Sequence, residues 1–310
     1  LAILGVARRY SRRGKHVITT QIEHAAVLNA MKQLEQEGFE VTYLCPDSHG
    51  FISPESVRSV LRTDTVLISI MHVNNEIGSI QNIRAISKIV HDGSQALMHV
   101  DAVQSFGKYP MNVVKDGIDL LSISGHKIHA FKGIGALYIR KGVEIKPLVF
   151  GGQQERGIRP GTENMPGIFS LFKAAEVAEK ARVESYHLME NIKRELIDGL
   201  KDIEGIQFNS HPINGAYSPY ILNISFRDTR GEVLLHTLEQ RGLFVSTGSA
   251  CNSKKKVYSH VLSAIGVDKA YIDGTIRLSF SPMNTLEEAQ SAVGIMKESL
   301  SFLDSIMKRR

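Results

Sequence analysis

Short apolar runs alternate with amphipathic segments through the first half of the chain, and most of the runs stop at a cluster of polar side chains. The runs are Val17-Ile18-Thr19-Thr20, Val41-Thr42-Tyr43-Leu44, Val66-Leu67-Ile68-Ser69-Ile70, Leu97-Met98-His99-Val100 and Leu120-Leu121-Ser122-Ile123. Between them lie a helical pattern over 25–37, a short one starting near Pro54 and another around 83–90. Strands without polar alternation, separated by helices, predict a mainly parallel α/β sheet covered on both faces.

The polar clusters narrow the reading further. Glu23-His24, Asn74-Asn75, Asp101 with Gln104, and Ser124-Gly125-His126-Lys127 each follow the carboxyl end of a strand. In open α/β sheets that edge is where ligands bind. A lysine held there among small residues can act as a nucleophile toward a carbonyl compound. Taken singly, each residue also has a plain reading. Lys127 could be an exposed loop lysine, Asp101 a helix N-cap, His24 the cap of the next helix and Arg277 a solvent-facing strand residue.

A long helical stretch follows Pro166 and runs to about Gly205, with a kink or division expected along it. Beyond it the pattern predicts strands at 220–226, 244–246 and 276–280, a helix at 232–241 and a closing helix at 286–307. The chain therefore reads as a large α/β domain over 1–183 and a smaller α+β domain over 184–310. A length of 310 residues suits two cores. No apolar run is long enough for a membrane span and no export leader is visible, so a cytoplasmic protein is expected. Cys45 and Cys251 fit no metal spacing and are expected as free thiols. The net charge of +5 comes from short basic clusters of the kind that form solvated faces, so charge alone does not argue for nucleic acid. Leu1-Ala2-Ile3-Leu4-Gly5-Val6-Ala7 reads as a helix already under way, which predicts residues before it.

The motifs His72-Val73-Asn74-Asn75-Glu76-Ile77-Gly78, His99-Val100-Asp101-Ala102-Val103-Gln104-Ser105, Ser124-Gly125-His126-Lys127 and Gly248-Ser249-Ala250-Cys251 follow one another in the order and spacing of the NifS/IscS-type cysteine desulfurases. Over essentially its whole length the chain resembles that family, which has fold type I of the pyridoxal phosphate enzymes and is class V aminotransferase-like. The resemblance implies pyridoxal 5'-phosphate as cofactor and Lys127 as its covalent attachment. It makes Asp101 the partner of the pyridine nitrogen and His24 the residue stacked on the ring that assists proton transfer. Asn75 and Gln104 bond the phenolic oxygen, and Ser124 and His126 the phosphate. Thr162 gives a further phosphate contact from the other subunit of a homodimer. Arg277 grips the substrate carboxylate, and Cys251 is the catalytic thiol that takes sulfur from L-cysteine and passes it to an acceptor protein, a scaffold or a tRNA-thiolation enzyme. The Gly-Ser-Ala-Cys form is similar to the long-loop subgroup.

The chain departs from the family pattern in three places. The Ala-Thr phosphate-binding turn of the family does not precede residue 1, so part of the anion cradle would be missing. Ser279-Phe280-Ser281-Pro282 replaces the usual Ser-Leu-Gly-Arg, and no extended tail follows Arg310. Other readings are a selenocysteine lyase, another class V enzyme, or an incomplete fragment acting as a binding module.

Overall fold

The apolar runs form strands in the computed structural model, which describes residues 1–210, 215–248, 251–252, 255–256 and 258–307, with the backbone alone at 251–252, 255–256 and 306–307. Strands β1 (His16–Thr20), β2 (Glu40–Leu44), β3 (Thr65–Met71), β4 (Leu97–Asp101), β5 (Leu120–Ser124) and β6 (Gly135–Ile139) make one sheet in the order β2-β1-β3-β4-β5-β6. All neighbours are parallel except β5 and β6. Alternate side chains leave opposite faces of a strand. Val17, Leu67, Leu97 and Leu120 therefore pack against α1 (Ala2–Tyr10) and α2 (Ala25–Gln36). Ile18, Ile68, Met98 and Leu121 pack on the other face with α3 (Pro54–Val60) and α4 (Ile83–Gly93). Ser53 and Asn82 start α3 and α4 by accepting the N–H groups of Ser56 and Ala85 on their side chains.

The chain leaves β1 toward β2 on one side and then crosses to β3 on the other, so the sheet has its switch point between β1 and β3. Strand β6 runs against β5, so the sheet is mixed at that edge. The turn requires glycine: a Cβ on Gly135 would lie 2.6 Å from the Ile123 carbonyl oxygen.

Two compact units divide the chain. The first comprises Leu1–Pro46, Phe51–Asn74 and Gln81–Arg182; the second comprises Asp47–Gly50, Asn75–Ile80 and Val183–Arg310. Helix α5 (Met165–Leu200) is continuous where a kink was expected. Its one proline, Pro166, stands in the first turn, where the missing N–H costs nothing, and its glycines, Gly167 and Gly199, lie at the two ends.

In the second unit β7 (Ile206–Phe208), β8 (Ile221–Phe226), β9 (Ser246–Thr247) and β12 (Thr275–Ser279) form an antiparallel sheet in the order β7-β8-β12-β9, and β10 (Cys251–Asn252) pairs with β11 (Lys255–Lys256). Helices α6 (Gly231–Glu239), α7 (His260–Ala264), α8 (Lys269–Ile272) and α9 (Leu286–Met307) complete the unit. Its core joins Met189, Ile192 and Leu196 of α5 to Leu222, Ile224, Leu234, Ile276 and Met296. The strand expected at 244–246 begins at Ser246 instead. Leu243 and Val245 pack on the core, while Phe244 between them is exposed.

Candidate active site

In the first unit the sheet brings its polar clusters to one edge. His24 caps α2, with Nδ1 accepting the Ala26 N–H at 3.1 Å. Both the capping reading and an accessible ring hold at once, because the residue is exposed. With its Nδ1 lone pair occupied, Nε2 is the ring nitrogen left open. Asp101 closes β4, and Oδ1 accepts the Val103 N–H at 3.0 Å. Among the described residues Oδ2 has no hydrogen-bond partner. Burial pushes the Asp101 carboxyl up, against the Val103 N–H and the nearby His24. A partly buried carboxylate with one free oxygen at a ligand-binding edge fits a cationic N–H group, and a protonated pyridine nitrogen is one.

Gln104 lies in the turn after β4, whose backbone is closed by Ser105 and Phe106 N–H groups on the Ala102 carbonyl. Ser124 ends β5, and its Oγ shares a 2.8 Å hydrogen bond with His126 Nδ1. Lys127 follows in the single 3-10 turn Gly125–Ile128 and is half-buried. Gly125 is needed there, because a Cβ would meet Ile134 Cγ2 at 2.8 Å and Ala130 Cβ at 3.0 Å. Burial, together with the charge of Lys127, pushes Lys108 down to about 8. A second cation beside a lysine is one arrangement that activates its amine. Thr162 is exposed.

Glu23, adjoining His24, has a larger part than the sequence suggested. It is fully buried at the switch point, and Oε1 accepts from Thr20 Oγ1 and from the Met71 N–H, both at 2.9 Å. It thus ties the ends of β1 and β3 together. Burial pushes its carboxyl up to about 8, and Asp101 adds to the rise. His99 is also buried, between Ser69 and Ser122 hydroxyls at 2.8 Å each, and burial pushes it down to about 3.

These two groups act on stability from opposite sides. The fold refuses His99 a proton that the unfolded chain accepts below its ordinary 6.5, so stability is lost as pH falls from there toward 3. The fold keeps a proton on Glu23 that the unfolded chain releases above its ordinary 4.5, so stability is lost as pH rises from there toward 8. Thermal denaturation of Glu23→Gln should show a flatter fall in Tm between about pH 6 and 8 than the parent, with the acid side unchanged. An equal slope in both proteins would contradict a neutral Glu23.

The second unit holds Asn75 and Arg277. Arg277, on β12, donates from Nη1 to the Asn75 carbonyl at 2.9 Å. Its Nε is buried and makes no hydrogen bond. Burial pushes the guanidinium down, and Glu76 opposes this. The strand arginine is therefore turned inward, with the Nε–Nη2 edge of its fork uncommitted. That edge has the shape for a carboxylate. Cys251 lies in β10, but its side chain is outside the described residues, as are Ser249 and Ala250.

Among the described residues no helix is long and apolar enough to cross a membrane. The family profile described as aminotransferase class-V matches residues 1–291. The chain is 47% identical over 297 residues to the cysteine desulfurase IscS of Methanosarcina thermophila, a match that covers 96% of this chain and 73% of that protein. Among solved structures it is similar to a NifS-like protein, with a TM-score of 0.90 and 40% identity over 97% of this chain and 79% of that one. It is also similar to SspA in complex with cysteine, with a TM-score of 0.76 and 36% identity over 91% of this chain and 78% of that one.

Proposed function

We infer how the site works from one premise: the chain belongs to the aminotransferase class-V family, and within it to the cysteine desulfurases. It converts L-cysteine to L-alanine and passes the sulfur on. The observation that carries the assignment of residues is the row of polar groups at the carboxyl edge of one sheet, ending in Lys127.

Pyridoxal phosphate fits the first unit. Lys127 supplies the amine for its aldehyde, Asp101 Oδ2 the acceptor for its ring nitrogen, and Ser124 and His126 the donors for its phosphate. Gln104, in the same unit, would hold the phenolic oxygen. When bound, the cofactor supplies an electron sink for the carbon skeleton of the substrate. The protein does the rest. Arg277 grips the substrate carboxylate through its uncommitted edge. The amine of Lys127 and Nε2 of His24 move protons. The Cys251 thiolate attacks the sulfur of the substrate, an S–S bond forms as the C–S bond breaks, and the electron pair left on carbon takes a proton. L-cysteine and the enzyme thiol become L-alanine and the enzyme persulfide, with no outside oxidant.

A second copy of the chain is the proposed partner at Thr162. Close to it α5 exposes Met165, Phe169 and Phe172, and Phe131 stands beside this face through its N–H bond to Ser170 Oγ at 2.9 Å. Contiguous exposed apolar side chains of this kind mark association surfaces. Iron–sulfur assembly and tRNA thiolation are the uses of the sulfur that the family makes available.

Alanine release from L-cysteine by the full-length protein tests the reading, with Arg277→Lys as the informative variant. A point charge cannot replace the planar fork. KM should rise by on the order of 10-fold to 100-fold, with kcat changed far less. A loss in kcat alone would remove Arg277 from substrate binding.

A further inference from the structure

One buried side chain clasps the turn that carries His24. Strand β1 ends at Thr20, and the chain passes through Gln21, Ile22 and Glu23 to His24, where α2 starts. Glu23 is fully buried while His24, next to it, is exposed. Glu23 Oε1 accepts the Thr20 hydroxyl and the Met71 N–H at 2.9 Å each, and Thr20 Oγ1 in turn accepts the Ile22 N–H at 3.3 Å. A second tie runs the same way: buried Asn74 donates from Nδ2 to the Ile22 carbonyl at 2.9 Å. Met71 is the last residue of β3 and stands opposite Asp101 in the register of β3 with β4. The next N–H along, that of His72, donates to the Asp101 carbonyl at 2.9 Å. The turn at His24 and the strand end at Asp101 are thus joined through the end of β3. Asp101 is close enough to both Glu23 and His24 for their charges to be felt. All of these residues belong to the first unit.

We propose that Glu23 is a positioning residue for the reaction, its side chain holding the turn that carries His24 to the strand end that carries Asp101. The inference rests on reading His24 as a residue that moves protons at the bound cofactor. The cap bond to the Ala26 N–H sets the imidazole relative to α2, and Glu23 sets the start of α2 relative to the sheet. A proton-transfer group displaced by about 1 Å can lose on the order of 100-fold in rate, so a fixed support behind His24 has kinetic value. The support works by accepting hydrogen bonds rather than by charge, because burial pushes this carboxyl up to about 8. Gln has the same shape and the same acceptor oxygen, whereas Ala takes the acceptor away from the Met71 N–H and the Thr20 hydroxyl.

Glu23→Ala, Glu23→Gln, Thr20→Val and His24→Ala in the full-length protein test this with two measurements. In the cofactor-free protein, exchange of the Met71 amide should speed up by on the order of ten-fold in Glu23→Ala and stay at the parent rate in Glu23→Gln. In the loaded enzyme, Glu23→Ala should lower kcat for L-cysteine by roughly 10-fold to 100-fold while KM moves by less than about three-fold. Glu23→Gln should restore kcat to within about three-fold of the parent. Glu23→Ala combined with His24→Ala should be no slower than His24→Ala alone, because both remove one function. Thr20→Val removes one of the two donors at constant volume, so it should lower kcat in the same direction by less, and it decides the matter if Glu23→Ala does not fold. A parent kcat in the deciding variant, a loss confined to KM, a Glu23→Gln enzyme as slow as Glu23→Ala, or a double variant slowed by the full product of the two factors would overturn the proposal. His24→Ala is the control: if it keeps the parent kcat, the reading beneath the proposal fails whatever the Glu23 variants do.

Discussion

Lys127→Ala in the full-length protein should reduce turnover of L-cysteine by roughly 10³-fold or more, the scale of losing a positioned proton-transfer group together with the covalent attachment. The fold has little reason to suffer. Lys127 is half-buried in a single turn whose shape is set by Gly125 and by the Ala130 N–H bond to the Gly125 carbonyl. Circular dichroism should match the parent. Borohydride reduction of the loaded parent followed by peptide mapping should place the cofactor on Lys127. The strongest rival is Lys108, which lies near enough for the charge of Lys127 to reach it and whose own proton is weakened. A label on Lys108, or full turnover in Lys127→Ala, would overturn the assignment.

The large sheet was legible because its strands obey a simple rule. Val17 and Ile18, Leu67 and Ile68, and Leu97 and Met98 send adjacent apolar side chains to opposite faces, and both faces are covered by helices. Strand β6 was not legible. It follows a glycine-rich stretch that reads as loop, and its pairing depends on the close approach of Gly135 to Ile123. Helix α5 was expected to break, but nothing inside it removes a backbone hydrogen bond.

The site shows the same division. That His24, Asp101 and Lys127 stand at strand ends could be read from the sequence, because each closes or follows an apolar run. Glu23 was visible as part of a polar pair, yet its burial and its two donors depend on the meeting of β1 and β3. Glu76 lies in the motif at 72–78, and nothing in that motif points to its contact. Its partner Ser259 is 183 residues away, a separation that no local pattern bridges. Ser259 does carry one local signal, a serine at the start of a helix.

The two cysteines should behave in opposite ways. Cys45 is exposed at the end of β2, and its Sγ lies 3.1 Å from Gln21 Nε2, so a serine there keeps both the space and the polar contact. Cys45→Ser should be nearly silent. Cys251 has the chemical task. A thiol is a poor nucleophile, and an ordinary pKa of about 8.5 leaves only a small thiolate fraction at neutral pH. The neighbouring Lys254, Lys255 and Lys256 add positive charge in sequence around it, which favours the thiolate where they come close. Cys251→Ser should still bind cysteine, seen as a change in the visible absorbance of the cofactor, while alanine release falls by on the order of 10³-fold.

Mass mapping of the enzyme after one turnover with L-cysteine, under non-reducing conditions, tests the account most directly. One added sulfur atom should be found on the peptide that contains Cys251, and none on the peptide that contains Cys45. Sulfur on Cys45, or alanine released at the parent rate by Cys251→Ser, would contradict it.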